Sequence, residues 1–262
     1  MVVGPSSRGL RYGDGLFETM KVRDGTIQLK ELHFQRLFTS LAVLKFILPP
    51  HFTPGMLEEQ ILILCKKNHF ISSVRIRLLI LRSNGGLFDP ENHTPNFLIE
   101  SIPLEQLFEL NSNGLVVDIC PGIQKSCDSL SNLKSNNFLP YVMAALWAKE
   151  QKLNDAIVLN TFGRICDSTI ANIFIISGGR LVTPPLSEGC VAGVMRQWLI
   201  NKLPSLGFGV DERPITISQL HAADEVFFTN VIKGIRWVKR TGSSAFTNKV
   251  IKQIYYSLPE SF

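Results

Sequence analysis

The spacing of apolar residues divides the chain into alternating strand-like and helix-like stretches. Leu16, Phe17, Met20 and Val22 lie in a short run that ends at Asp24-Gly25, a pair suited to a two-residue hairpin turn, and Ile27 and Leu29 begin the return run. From Lys30 to about Lys45 the period lengthens. Phe34, Leu37, Phe38, Leu41 and Leu44 fall on one helical stripe, with His33, Arg36 and Ser40 on another face. A second helix is predicted over residues 56–67, just after Pro54-Gly55. Val74, Ile76, Leu78 and Ile80 then alternate with Arg75 and Arg77, as a half-buried strand should. Residues 97–102 read as its partner across the polar loop 83–96.

Periodicity lapses over residues 105–114, which end in Asn-Ser-Asn-Gly. This stretch predicts a connection between two α+β domains, residues 1–107 and 114–262, with 108–113 as the linker. In the second domain a strand is expected at 115–119, then a polar segment, then a helix starting after Asn137. That helix is predicted from the i, i+3, i+4, i+7 spacing of Phe138, Tyr141, Val142, Ala145, Leu146 and Lys149. Strands follow at 156–159 and 172–176, and Gly178-Gly179 turns the chain into 181–183. A helix over 193–203, a strand over 225–229 and a last helix bearing Ile251, Ile254, Tyr255 and Leu258 complete the pattern.

Composition narrows the functional classes. The chain has 262 residues, 45% hydrophobic and 19% charged, enough for a sizeable core. No stretch reaches about 18 consecutive apolar residues and the first ten residues lack an apolar leader, so a soluble cytoplasmic protein without membrane partners is expected. The five cysteines form no C-x-x-C pair and the five histidines no H-E-x-x-H, which predicts reduced thiols and no metal site. Lys and Arg exceed Asp and Glu by 27 − 22 = 5, spread along the chain, so no nucleic-acid partner is expected. A few cations suit a small anion, such as a phosphate-bearing cofactor.

By itself, Lys134 in Ser131-Asn132-Leu133-Lys134-Ser135-Asn136-Asn137 is a lysine in a polar loop, a residue most often solvated. Its neighbours in sequence change that. Tyr12-Gly13-Asp14-Gly15-Leu16-Phe17-Glu18-Thr19, His33-Phe34-Gln35-Arg36-Leu37 and Lys134-Ser135-Asn136-Asn137-Phe138-Leu139 occur in the order of the G-D-G-x-F-E-T, H-x-x-R-L and K-x-x-N-Y-L elements of one family. The chain resembles the class IV, fold-type IV pyridoxal-phosphate enzymes, which include aminodeoxychorismate lyase, D-amino-acid aminotransferase and branched-chain aminotransferase. The resemblance implies a two-domain α+β fold like that of D-amino-acid aminotransferase, with pyridoxal 5′-phosphate in the interdomain cleft as a Schiff base on Lys134 and a homodimer in which the partner's small domain helps close each site.

The resemblance also assigns roles. Arg36 is expected to hold the cofactor phosphate, since a guanidinium can give two parallel charge-assisted hydrogen bonds. Asp167, in Ile165-Cys166-Asp167-Ser168-Thr169-Ile170-Ala171-Asn172-Ile173-Phe174, stands where the family carries a glutamate that pairs with the pyridine nitrogen. It is one methylene shorter, so the backbone comes closer, a water bridges, or ring protonation is weaker. The amides of Val194 and Met195, at a helix start, are expected to cradle the phosphate. Thr229, Asn230 and Val231 resemble a second phosphate-contacting turn, with only the amide of Val231 able to serve; as side chains Thr229 and Asn230 also suit an ordinary loop. Tyr12 is a candidate to line the substrate site.

Two departures concern the substrate. Phe138 replaces the family tyrosine, and Leu87 in Arg82-Ser83-Asn84-Gly85-Gly86-Leu87-Phe88 stands where D-amino-acid aminotransferases place a carboxylate-binding arginine. The R-x-x-G-G run and Gly193-Val194-Met195-Arg196-Gln197 look closer to aminodeoxychorismate lyases. The expected activity is therefore pyruvate elimination from 4-amino-4-deoxychorismate, giving the folate precursor 4-aminobenzoate. The alternative is class IV transamination of a branched-chain or other amino acid with 2-oxoglutarate. A non-catalytic dimer that kept the fold is the contrasting expectation, motivated by Asp167 and by the short segment before the G-D-G element. A thiol hydrolase using Cys127 or Cys166 lacks a histidine in a recognisable pairing motif.

Overall fold

The computed structural model describes residues 4–70, 73–104 and 109–259. The chain divides into two compact units: Met1–Leu107 with Leu133–Asn137, and Phe108–Asn132 with Phe138–Phe262. The Lys134 segment, expected within the second domain, therefore groups with the first unit. Part of the connection predicted over 105–114 lies outside the described residues.

In the first unit, α1 (Arg8–Tyr12) precedes β1 (Gly15–Arg23), which turns through Asp24-Gly25 into the short β2 (Thr26–Ile27). Asp24 and Gly25 both have positive φ, 49° and 72°, and Val22 pairs with Ile27, so the predicted hairpin turn forms. The return run stops early because Leu29 takes φ 53° and starts α2 (Lys30–Val43). In α3 (Pro54–Lys67) the Thr53 hydroxyl accepts from the Met56 amide at 3.1 Å, and Pro54 occupies the first turn, where no N–H is needed. β3 (Ser73–Arg82) and β4 (Pro95–Leu104) pair antiparallel, as predicted, in the sheet order β2-β1-β3-β4. Along β3 every second side chain is buried, including Val74, Ile76, Leu78 and Ile80, and these pack with Phe34, Leu37 and Leu41 of α2 and Leu57 and Ile61 of α3. The sequence alternation thus sets which face of the sheet the helices cover.

The second unit contains β5 (Leu115–Lys125), α4 (Leu139–Glu150), β6 (Asp155–Asn160), β7 (Ile165–Ser168), β8 (Asn172–Ser177), β9 (Arg180–Thr183), α5 (Val194–Lys202), β10 (Val210–Glu212), α6 (Ile217–His221), β11 (Glu225–Asn230), β12 (Gly234–Thr241), β13 (Ser244–Ala245) and α7 (Lys249–Ser257). Its sheet runs β10-β9-β8-β11-β12-β5-β6-β7, with β13 beside β12. The pattern did not predict β7, β10, β12, β13, α1 or α6, most of them short. In β6, β7, β8 and β11 nearly every residue is buried, so two-residue alternation is absent.

The stripe predicted for α4 is corrected in part. The helix buries Tyr141, Ala144 and Ala148, while Leu139, Val142, Met143 and Leu146 are exposed. Because this helix is apolar on more than one face, periodicity cannot fix which face packs. No helix among the described residues is long and apolar enough to cross a membrane.

Candidate active site

Within the first unit, the G-D-G element has a steric explanation. Gly13 ends α1 at φ 65°, and a Cβ there would lie 2.3 Å from Asn137 Oδ1. A Cβ on Gly15 would lie 2.3 Å from the Ile80 carbonyl oxygen and 2.6 Å from Asn136 Nδ2. The two glycines therefore admit the Lys134 segment against β1. That segment is fixed by backbone bonds: Phe17 N donates to the Lys134 carbonyl at 2.9 Å and Asn136 N to the Gly15 carbonyl at 3.1 Å. Leu133 packs against the unit's core. Lys134 Nζ lies 4.4 Å from the centroid of the Phe17 ring, and Arg77 Cζ lies 4.4 Å from the same centroid.

Between the glycines, Asp14 Oδ2 accepts from Arg8 Nε and Arg82 Nε, each at 2.9 Å. Arg8 is buried, and its guanidinium also donates to the carbonyls of Gly85 at 3.2 Å, Leu87 at 2.7 Å and Phe88 at 3.0 Å. It thereby anchors a loop whose tip exposes Leu87 and Phe88. Tyr12 belongs to this assembly: its ring lies 6.1 Å from that of Phe88 and 5.0 Å from Arg8 Cζ.

Arg36 is held by Glu18, the acidic residue of the G-D-G-x-F-E-T element. Arg36 Nε donates to Oε1 at 2.8 Å and Nη2 to Oε2 at 2.6 Å, while His33 Nδ1 lies 2.7 Å from Oε2. Burial pushes the Glu18 carboxyl up, but Arg36 and then His33 outweigh it and hold it at about 2. Burial also dominates at His33, holding its pKa below the usual imidazole value despite Glu18, with Arg36 and Lys134 adding to the fall. His33 is thus a neutral donor to Glu18 through Nδ1–H. Neither Glu18 nor His33 stood among the residues assigned from the sequence.

In the second unit Asp167 is the centre. It is 2% exposed, and its Oδ2 accepts from the Tyr141 hydroxyl at 2.8 Å and the Val191 amide at 2.9 Å. Oδ1 accepts from Asn172 Nδ2 at 2.9 Å, and Lys125 Nζ lies 3.5 Å from Oδ2. Burial is the largest influence and raises the carboxyl's pKa, against Lys125 and the three hydrogen bonds. The carboxylate is therefore fixed in place while keeping acceptor capacity on Oδ1 for a protonated ring nitrogen.

Asn172 connects Asp167 to the expected phosphate elements. Its Nδ2 also donates to the Val191 carbonyl at 2.8 Å. Its backbone pairs with Thr229 across β8 and β11. A Cβ on Gly193, the residue before α5, would lie 1.8 Å from Asn172 Oδ1. Gly193 has no capping side chain, and Gln197 N donates to the Gly193 carbonyl at 2.9 Å, closing the first turn of the helix. The amides of Val194 and Met195 thus precede the helical ladder, where N–H groups can meet an anion. α5 packs against β11, and Thr229 Oγ1 there is buried with no hydrogen-bond partner among the described residues. These features fit a phosphate. Asn230 is otherwise engaged: Oδ1 accepts from the Ile232 amide at 3.0 Å and the Lys233 amide at 2.8 Å, forming the turn that carries Val231.

Comparison with known proteins gives the family. The model for amino-transferase class IV matches residues 15–241. The chain belongs to that family. An aminodeoxychorismate lyase of Vibrio harveyi is 30% identical over 253 residues, 93% of this chain and 88% of that protein. The 4-amino-4-deoxychorismate lyase of Pseudomonas aeruginosa superposes with a TM-score of 0.87 at 26% identity, covering 98% of this chain and 94% of that one. The branched-chain aminotransferase of Thermoproteus uzoniensis, solved with norvaline, gives a TM-score of 0.87 at 25% identity, covering 98% and 87%. The class IV protein is thus a fold-type IV enzyme dependent on pyridoxal phosphate, and both lyases and aminotransferases are among its relatives.

Proposed function

We propose that this class IV enzyme is a 4-amino-4-deoxychorismate lyase, releasing pyruvate and 4-aminobenzoate. The observation that carries the reading is the loop anchored by Arg8, which presents apolar Leu87 and Phe88 where a D-amino-acid aminotransferase would place a carboxylate-binding arginine. Phe88 beside Tyr12 offers aromatic surface to a ring-shaped substrate. The similarity to the V. harveyi lyase supports the same choice.

Pyridoxal phosphate, when bound, supplies a carbonyl that condenses with an amine and a ring that accepts an electron pair. Lys134 would carry it, and its free ε-amine would be the base that takes the proton from the substrate carbon and the acid that gives one up. Arg36, oriented by Glu18, would hold the phosphate, as would the amides of Val194 and Met195, with the Thr229 hydroxyl and the Val231 amide as further donors. Asp167 would hold the proton on the ring nitrogen. Lys134 and Asp167 serve elimination and transamination alike, so the substrate decides the outcome.

A homodimer is part of this proposal. Leu139, Val142, Met143 and Leu146 expose one apolar side of α4, and a second copy of the chain is the expected cover.

The test supplies 4-amino-4-deoxychorismate and, separately, L- and D-amino acids with 2-oxoglutarate. Pyruvate and 4-aminobenzoate in equal amounts support the lyase. Glutamate formation without them would establish the second reading, a class IV aminotransferase, which the likeness to the T. uzoniensis enzyme favours.

A further inference from the structure

Lys125 has no part in the chemistry above, yet its side chain is only 11% exposed and reaches Asp167. It lies at the end of β5, where its Nζ donates to the Ser131 carbonyl at 2.8 Å. Ser131 is itself set by a turn in which Asp128 Oδ1 accepts from the Leu130 amide at 2.9 Å and the Ser131 hydroxyl at 3.0 Å. From there Nζ lies 3.5 Å from Asp167 Oδ2 and 5.2 Å from the centroid of the Tyr141 ring. The ammonium is thus aimed by a formed turn rather than by a flexible surface stem.

We infer that Lys125 is a positioning residue that shares the charge of Asp167, so that the proton on the cofactor's ring nitrogen is held less tightly than by Asp167 alone. This rests on the reading of Asp167 as the ring-nitrogen partner. One carboxylate then answers two cations, the ammonium and the pyridinium. With the Asp167 side chain buried and that of Lys125 largely so, their interaction is weakly screened. Tyr141 and Val191 complete the occupancy of Oδ2, which leaves Oδ1 to the ring nitrogen.

The other titratable groups around Asp167 are neutral. Tyr141 of α4 and Cys166 beside Asp167 on β7 both have pKa values raised mainly by burial. Cys190, in the loop before α5, is pushed up to about 12 by burial first and Asp167 second. After burial, the charge of Lys125 is the largest influence on Asp167. The shortening from glutamate to aspartate therefore acts together with a cation that draws on the same carboxylate.

The experiment reconstitutes wild type, Lys125→Met and Lys125→Arg with pyridoxal phosphate labelled with 15N at the ring nitrogen, and follows its chemical shift against pH. Lys125→Met should raise the ring-nitrogen midpoint by about one pH unit or more, a roughly tenfold gain in the protonated fraction at fixed pH above it. Lys125→Arg should return it towards wild type. Coincident midpoints for wild type and Lys125→Met overturn the inference, as does a shift that arginine does not reverse, which would mean packing and not charge. If Lys125→Met does not fold, the wild-type titration decides: a midpoint within the pH range where the protein stays folded supports the inference, and a nitrogen protonated throughout overturns it. Absence of a borohydride-fixed cofactor adduct on Lys134 in wild type would instead overturn the cofactor reading, and the inference with it.

Discussion

Glu18 holds Arg36 through both carboxylate oxygens, Nε to Oε1 at 2.8 Å and Nη2 to Oε2 at 2.6 Å. The guanidinium plane is thereby set by the protein itself, as the proposed hold on a phosphate requires. Glu18→Gln keeps the shape but loses the charge and one of the two acceptor oxygens. It should weaken cofactor affinity by about tenfold or more and lower stability by roughly 3 kcal/mol, the range for breaking a buried pair. Titration with pyridoxal phosphate and with phosphate-free pyridoxal separates the roles. A loss confined to the phosphorylated form supports orientation of Arg36, and equal loss for both opposes it.

The same cluster predicts acid lability. Glu18 has its carboxyl depressed from 4.5 to about 2, so its contribution to stability is present above the unfolded value and is lost as pH falls from 4.5 towards 2. His33 is depressed below 6.5, so the folded state resists its protonation and stability also declines as pH falls below 6.5. Stability against urea should therefore fall in two stages on acidification. His33→Gln should abolish the upper stage and make the lower one shallower, since His33 also helps to depress Glu18.

Asn172 and Gly193 make a second test. Gly193→Ala forces a methyl into the space of Asn172 Oδ1, at 1.8 Å, while Asn172 Nδ2 is committed to Asp167 and Val191. Asn172→Ala leaves two acceptors short of a donor, costing about 1–3 kcal/mol. If the clash is the cause of the Gly193→Ala defect, adding Asn172→Ala should relieve part of it, and the double variant should be less impaired than the sum of the singles. Thermal melting and cofactor titration of the four proteins measure this.

Arg8 should govern the loop that it anchors, residues 83–94, without touching the cofactor. Arg8→Ala removes the bonds to Gly85, Leu87 and Phe88 and leaves Asp14 with Arg82. We expect KM to rise several-fold, protease cleavage within residues 83–94 to accelerate, and pyridoxal phosphate affinity to stay within about twofold, the scale of a few tenths of a kcal/mol. A matching loss of cofactor affinity would contradict that separation.

Lys134→Ala should abolish the visible absorbance of the cofactor complex and the borohydride-stable adduct while leaving the fold intact. Its carbonyl still accepts from the Phe17 amide and the Asn136 amide still donates to Gly15, backbone bonds that the substitution keeps; the ammonium's contact with the Phe17 ring is what it removes. A retained adduct on another lysine would refute Lys134 as the carrier.

Much of the fold was legible because its determinants are local. Asp24-Gly25 set a turn through their own φ preferences, and β3 declared its buried face by alternation over Val74, Ile76, Leu78 and Ile80. The strands β6, β8 and β11, buried on both faces, were legible as short apolar runs without alternation, β7 was not, and α4 is apolar around more than one face, so its packed side was not written in its spacing. Resemblance of ordered motifs supplied Lys134, Arg36 and Asp167. What it did not supply were the residues that hold them: Glu18 and His33 for Arg36, and Tyr141, Asn172 and Lys125 for Asp167.

The sequence alone determined that Lys134 lies in a class IV motif and that Asp167 is a methylene shorter than the family's glutamate. Only the tertiary structure decided what that shorter carboxylate meets. Tyr141 lies 26 positions before Asp167 and Val191 lies 24 after it, yet both donate to one oxygen, and Lys125 approaches the same atom. Burial, hydrogen-bond geometry and the field of a neighbouring charge depend on which distant residues the chain brings together, and no local pattern of apolar and polar positions encodes them.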